Sequence, residues 1–365
     1  MIGPEHEYSI NDEYFNPLPI TDRVIKKISG RFLNKTCIGK VIVGRELQKH
    51  VVELKPQKPF ETFSEFEEVM QEGIEELLSY LNGYRLLGLG MHPLLKLEYA
   101  TVWDHRDRRI YQAYDRIFNI KQHGWLNIQS FQLNIPYRNA REAVKIHNKL
   151  RSLLPYIAAL ASASPICEEK LFYVDSRLYY YRINQKEIPI ICNDIIPEKI
   201  NSLQEYKTIL ESIYRELRSR KADILCGEWV NSRGVILRFS RKCLEIRVMD
   251  EQECIKSDIA LAAFIKCSLK AKVENTERNI LLNMLDNAIK NGTRNLKNKL
   301  RKLLKKAREN ADREERKYLE IVNRRIENGS LGELIIKNIG SPTREEIVKL
   351  CERLAKCLER NEVYS

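Results

Sequence analysis

Three short segments far apart in this chain alternate between apolar and polar residues, and that alternation limits the fold more than any other feature. In SFQLNIPY, Phe131, Leu133 and Ile135 interleave with Ser130, Gln132 and Asn134. In CLEIRVMD, Leu244, Ile246 and Val248 interleave with Glu245 and Arg247. In GPEHEYSI, Glu5 and Glu7 are two apart and share a face when the segment is extended. A period of two belongs to strands with one oily and one polar face. Residues 126–135, 177–183, 235–239 and 243–249 read as strands, with a short buried one at Leu86-Leu87-Gly88-Leu89.

Helical patterns lie between them. Residues 61–81 carry Thr62 and Ser64 as caps and Phe66, Val69, Met70, Ile74, Leu77 and Leu78 on one side. Further helices are expected at 140–163, at 203–220, from about Asp258, and through almost everything beyond Glu274, with breaks at Gly292, Asn328-Gly329 and residues 340–342. Strands among helices without regular β-α-β punctuation predict an α+β layer and not a doubly wound sheet. The chain has 15 glycines and neither a G-x-x-x-x-G-K-[ST] nor a G-x-G-x-x-G motif. A nucleotide would therefore be held by metal and side chains, not by a glycine loop. We expect a main domain over residues 1–272 with a helical part, 273–365, packed on it.

The 365 residues, 43% of them hydrophobic, suffice for one large core or two modest ones. No run approaches the roughly 20 apolar residues that cross a bilayer. The N-terminus lacks the basic and apolar blocks of a signal peptide, so a soluble cytoplasmic protein is expected. Nine cysteines without C-x-x-C spacing read as buried reduced thiols. The net charge of +12 is concentrated between Asn287 and Arg308, a stretch without acids. Leu296, Leu300, Leu303 and Leu304 fall at helical spacing there, and no aromatics are interleaved for stacking bases. That stretch reads as a packed helix with a solvated basic face, and nucleic acid is not an expected partner.

Each alternating segment alone fits a sheet with one solvated face. Together they gather carboxylate and amide oxygens, which suit a hard cation such as Mg²⁺, beside arginine, which suits phosphoryl oxygens. Metal plus arginine is what phosphoryl transfer needs.

Seven blocks in order extend this. GPEHEY resembles a G-x-E-x-E strand, VVELKPQKPFET an E-L-S-G-x-P-x-E-T stretch, and LLGLGMHP a G-T-H-P strand. SFQLNIPY carries Q-x-N where H-x-H is common. AREAVKIHNKLRSLLPYIAALASASPI resembles a helix ending in an A-L-S-A-S-S-P turn; SRLYYYR follows, and LEIRVMDEQE gives E-x-R-x-x-D. These resemble the glutamate–cysteine ligase family of the plant and bacterial type, over residues 1–272. The resemblance implies a glutamine-synthetase-like fold: a curved, mostly antiparallel sheet forming a funnel, with helices behind it. It implies an ATP-dependent ligase of the kind used in glutathione biosynthesis. The γ-carboxylate of glutamate, or a similar carboxylate, is activated as an acyl phosphate, and an amine displaces phosphate.

Carried over by position, the resemblance implies two or three Mg²⁺ ions held by Glu5, Glu7, Glu46, Glu53, Gln132, Asn134 and Glu245. Arg247 would lie against the transferring phosphoryl group, and Arg177 would face the acceptor or the substrate carboxylate. His92, Arg182, Arg238 and Asp250 are further candidates for substrate or nucleotide contact. Lys49 stands where some members have a third acid. Residues 184–231 resemble nothing in the family and are expected to border the funnel. A homodimer would be unsurprising. The competing readings are the same chemistry on another amine, and a non-catalytic relative that binds nucleotide or a partner.

Overall fold

Ser9, Ile10 and Asn11 of the first strand pair with one neighbour while Gly3, Pro4 and Glu5 pair with another, and this fork organises the sheet. The computed structural model describes residues 1–340 and 342–365. Its strands are β1 Gly3–Asn11, β2 Lys35–Ile38, β3 Val41–Arg45, β4 Val51–Pro56, β5 Arg85–Leu87, β6 Ser130–Pro136, β7 Ile166–Cys167, β8 Lys170–Leu171, β9 Val235–Arg238 and β10 Cys243–Asp250. Eight form one open sheet in the order β2-β3-β4-β1-β6-β10-β9, with β5 on the second branch of β1, and every pair is antiparallel. The α+β expectation holds, with alternation of the predicted kind in β1, β6 and β10. The strands β2, β3 and β4 were not anticipated.

The helices are α1 Thr21–Ser29, α2 Phe63–Leu81, α3 Arg108–Phe118, α4 His123–Leu126, α5 Ala140–Ala161, α6 Ser176–Ile183, α7 Leu203–Ser219, α8 Ile255–Lys270, α9 Arg278–Asn291, α10 Lys297–Glu309, α11 Arg313–Asn328, α12 Leu331–Ile339 and α13 Arg344–Arg360. Thr62 starts α2 by accepting the Glu65 N–H at 3.2 Å, as the sequence predicts. One expected strand is corrected: 177–183 is the helix α6. Its β-prone tyrosines are overridden by the Asp175 cap, which accepts the Leu178 N–H at 2.8 Å.

Helices α2, α5 and α8 lie behind the sheet. α8 is buried almost all round, because α10 and α11 cover its far side. One apolar cluster runs from Ile2 through α5 and α8 to Leu358, so residues 273–365 share the core of residues 1–272. A second cluster joins Phe15 and Leu87 to Ile335, Leu350 and Leu354 of α12 and α13. In α10, Leu300 and Leu304 are buried, while Lys297 and Arg301 pair with Glu327 and Arg308 with Glu320. The basic stretch is a packed helix whose cations are partly answered by α11. All nine cysteines are free; six are buried, while Cys37 is exposed and Cys226 and Cys357 are half-buried. Among the described residues, no helix is long and apolar enough to cross a membrane.

Candidate active site

A cavity of about 590 Å³ opens on the polar face of the sheet. The register of β1 and β4 sets its acidic wall. Glu7 pairs directly with Glu53, and His6 with Leu54. The side chains of Glu5, Glu7, Glu53 and Lys55 therefore share one face. Across β3, Gly44 stands opposite Glu53; a Cβ there would fall 2.9 Å from Glu53 Oε1, so the glycine makes room for the carboxylate. Glu46 follows the end of β3 and lines the same cavity.

Burial pushes the carboxyls of Glu7, Glu46 and Glu53 up to about 8, and their neighbouring acids add to the rise. Glu7 Oε2 accepts the Ser130 N–H at 2.7 Å, and Oε1 accepts from Gln132 Nε2 at 3.2 Å. Such a group of oxygens suits a hard divalent cation, which would relieve the repulsion. The three acids do not bring one oxygen each within 4.8 Å of one another, so a cation shared by all three would have to draw them together.

The expected set of five acids is divided. Glu5 accepts Asn134 Nδ2 at 2.8 Å, pairs with Arg241 at 2.5 Å, and lies 3.3 Å from Lys55 Nζ. Burial raises its carboxyl, but Lys55 and Arg241 pull it further, down to about 2. Glu245 is buried between Arg238 and Arg247, whose Nε is 3.0 Å from Oε1. Glu5, Asn134 and Glu245 are not part of the cavity wall, whereas Glu7, Glu46, Glu53 and Gln132 are.

Arg177 and Arg247 line the same cavity. Arg247 donates from Nη1 to the carbonyls of Trp229 and Asn231, at 3.3 and 3.0 Å, and its Nε faces Glu245. Two of its three nitrogens are thus anchored. Arg177 is buried, with Nε 2.5 Å from Asp250 Oδ1. Asp250 Oδ2 accepts the Ala163 N–H and the Ser164 hydroxyl, each at 2.7 Å. Gly90 must lack a side chain here, since a Cβ would fall 2.2 Å from Asp250 Cγ.

The chain matches glutamate–cysteine ligase family 2 over residues 1–353. It belongs to that family. The match continues well past residue 272, where the sequence resemblance loosened, in keeping with the shared core. An uncharacterized protein of Archaeoglobus fulgidus is 67% identical over 364 residues, covering 100% of both chains. A glutamate–cysteine ligase of Francisella tularensis, solved in complex with AMP, superposes with a TM-score of 0.70 at 12% identity, covering 97% of this chain and 88% of that one. A bifunctional glutathione synthetase of Pasteurella multocida gives 0.66 at 13% identity, covering 97% of this chain and 52% of that one. At these identities the likeness is one of fold.

Several predicted site residues of this glutamate–cysteine ligase family member stand elsewhere. His92 is fully buried outside the cavity; its Nε2 donates to Asn11 Oδ1 at 2.8 Å, and its Nδ1 accepts the Leu94 N–H at 3.2 Å. Those bonds fix a neutral ring, and burial holds it well below its usual range. Arg182 pairs with Asp286 at 3.5 Å, and Arg238 with Glu228 at 3.2 Å and with Glu245. Asp250 acts on the cavity through Arg177. Lys49 is turned away to Asp22 at 2.8 Å and Asp104 at 3.2 Å. His6 is buried behind the sheet, with Nδ1 3.0 Å from Glu251 Oε1 and 3.5 Å from Asp258 Oδ2.

The aromatic wall of Tyr111, Tyr114, Trp125, Tyr181 and Trp229 was not anticipated. Ring centroids of Tyr114 and Trp125 are 4.8 Å apart, and those of Tyr114 and Trp229 6.1 Å. The segment 184–231 does border the cavity, through Asn184, Gln185 and Trp229. Lys55 was legible in retrospect, since it follows Glu53 by two residues on one strand.

Proposed function

We propose that this family member is an ATP-dependent carboxylate–amine ligase acting on glutamate or a similar carboxylate. The observation that carries the reading is the cavity's lining, in which the acids Glu7, Glu46 and Glu53 stand together with the cations Arg177 and Arg247. The AMP bound by the Francisella tularensis ligase supports an adenine nucleotide as co-substrate. Glu7, Glu46 and Glu53, with Gln132 beside them, would hold Mg²⁺, which when bound supplies charge neutralisation to the phosphates.

In this reading a substrate carboxylate oxygen attacks the γ-phosphorus, the bond to ADP breaks, and an acyl phosphate results. The amine nitrogen then attacks the acyl carbon, the bond to phosphate breaks, and the nitrogen gives up a proton. Arg247, anchored at two nitrogens, is preorganised to face the charge that builds on the transferring group. Arg177, held by Asp250, offers the rest of its guanidinium to a carboxylate. The aromatic wall excludes water from the reactive acyl phosphate. A cytoplasmic setting agrees with nine free cysteines.

The test is ADP release from ATP and Mg²⁺ across amino-acid donors and amine acceptors. We expect donor-dependent release that Glu7→Gln abolishes. No release with any donor, or release unchanged in Glu7→Gln, overturns the reading.

A further inference from the structure

The acidic wall changes character along one pair of strands. Glu7 stands directly opposite Glu53, a like-charged pair. Two residues along each strand, just past the last paired residues His6 and Leu54, come Glu5 and Lys55. Lys55 Nζ is 3.3 Å from Glu5 Oε2 and 2.5 Å from Glu53 Oε1. Arg241, arriving just before β10, lies 2.5 Å from the other oxygen of Glu5. Lys55 and Arg241 are both part of the cavity wall, and Glu5 is not. The two cations therefore close over Glu5 and screen it from anything that enters.

We infer that the Lys55 ammonium is a built-in cation of this centre, so that Glu5 ligates no divalent ion and the centre holds one ion fewer than its carboxylates would otherwise take. The inference rests on reading the acidic wall as metal-binding. The strand supports it, because residues two apart on β4 share a face, and Lys55 is pointed at the carboxylates by the backbone itself. Occupancy supports it too: Asn134 Nδ2, Arg241 and Lys55 already surround Glu5. A dication approaching Glu5 would meet two positive charges, the largely buried Lys55 and the partly exposed Arg241. Arg177 acts on Glu7 and Arg45 on Glu46 at longer range, but among the described residues the one ion pair made by these three acids is Lys55 to Glu53, and they remain the place for metal.

The experiment counts Mn²⁺ bound per full-length chain, without nucleotide, by equilibrium dialysis and the electron paramagnetic resonance of the free ion. Wild type is compared with Lys55→Met, Lys55→Arg and Glu5→Gln. We expect Lys55→Met to bind one Mn²⁺ more than wild type, Lys55→Arg to match wild type, and Glu5→Gln to leave count and affinity unchanged. Equal, non-zero counts in wild type and Lys55→Met overturn the inference while leaving the metal reading intact. So does a loss of Mn²⁺ affinity in Glu5→Gln, a measurement that still decides if Lys55→Met fails to fold. No Mn²⁺ on any of the four proteins overturns the metal reading, and this inference with it.

Discussion

Glu251 accepts the backbone N–H of Glu7 at 3.0 Å, across 244 residues of chain. That amide lies in the fork of the sheet, where β1 has left β6 and has not yet met β5. The side chain stands in for a missing strand, because a buried N–H without a partner is costly. His6 lies on the other oxygen of Glu251, at 3.0 Å. The strand that carries Glu5 and Glu7 is thus held from behind by a carboxyl at the exit of β10.

Removing that carboxyl should loosen the strand. Glu251→Ala leaves the Glu7 amide and the His6 ring short of a partner, and should cost about 2–4 kcal/mol of stability. Urea unfolding of the metal-free protein measures it. A change within about 0.5 kcal/mol, as at an ordinary surface position, would refute the role.

Asp250 should matter more to the fold than its distance from the cavity suggests. Asp250→Ala strands the buried Arg177 guanidinium and two donors, and should cost about 3–5 kcal/mol. Gly90→Ala, which drives a methyl into the same carboxylate, should destabilise in the same sense. Urea midpoints for both variants check this, with Glu13→Ala at an exposed site as the control.

Arg247→Lys keeps a positive charge beside Glu245 but loses the planar fork that reaches Trp229 and Asn231. ADP release should fall by about 10²–10³-fold in kcat, as on losing one preorganised donor. KM for the carboxylate should move much less. A fall in KM-controlled binding with kcat intact would reassign the residue to substrate binding.

Stability should depend on pH in a defined way. The folded carboxyls of Glu7, Glu46 and Glu53 sit at about 8 against an ordinary 4.5, so they bind more protons folded than unfolded between those values. Their contribution is complete below 4.5 and is lost as pH rises to 8. Burial depresses His6 and His147 to about 4 and His50 to about 3, against an ordinary 6.5, so their contribution is lost as pH falls from 6.5 through those values. The two sets oppose one another between 4.5 and 6.5. Between 6.5 and 8 only the acids act, and the metal-free melting temperature should drop. Mg²⁺ should raise it more at pH 8 than at pH 6. Melting curves that stay flat from pH 6.5 to 8 would refute the raised carboxyls.

The basic helix α10 should bind RNA or DNA weakly, without sequence preference and with a steep loss in salt, because its contacts are electrostatic. Filter binding between 50 and 200 mM salt checks this. Tight, sequence-selective binding at the upper end would give that helix a function of its own.

Much of this was legible from local pattern. The side-chain period of a strand is built into the backbone, so Glu5 beside Glu7, Gln132 beside Asn134 and Glu245 beside Arg247 could each be placed on one face. Thr62 announced α2 because capping acts over three residues. What pattern cannot carry is register between strands. That Glu7 meets Glu53 while Glu5 meets Lys55 depends on how β1 and β4 align, and it divides one expected acidic cluster into two. Residues 177–183 were misread because three tyrosines favour a strand, while the stronger signal, Asp175 as a cap, lay just outside the segment. His92 became a candidate through its match to the G-T-H-P motif; only the packed structure supplies Asn11 as its partner.

The fork at Glu7 also sets a timetable. A ribosome adding roughly 5–20 residues per second makes Glu7 about 10–50 s before Glu251. Strand β6 arrives midway, so for much of synthesis the nascent β1 has neither its second neighbour nor the side chain that closes the gap. The acid-bearing strand is therefore the first made and among the last completed. A chain stalled before Glu251 would carry the acidic wall's first strand without the carboxyl that holds it.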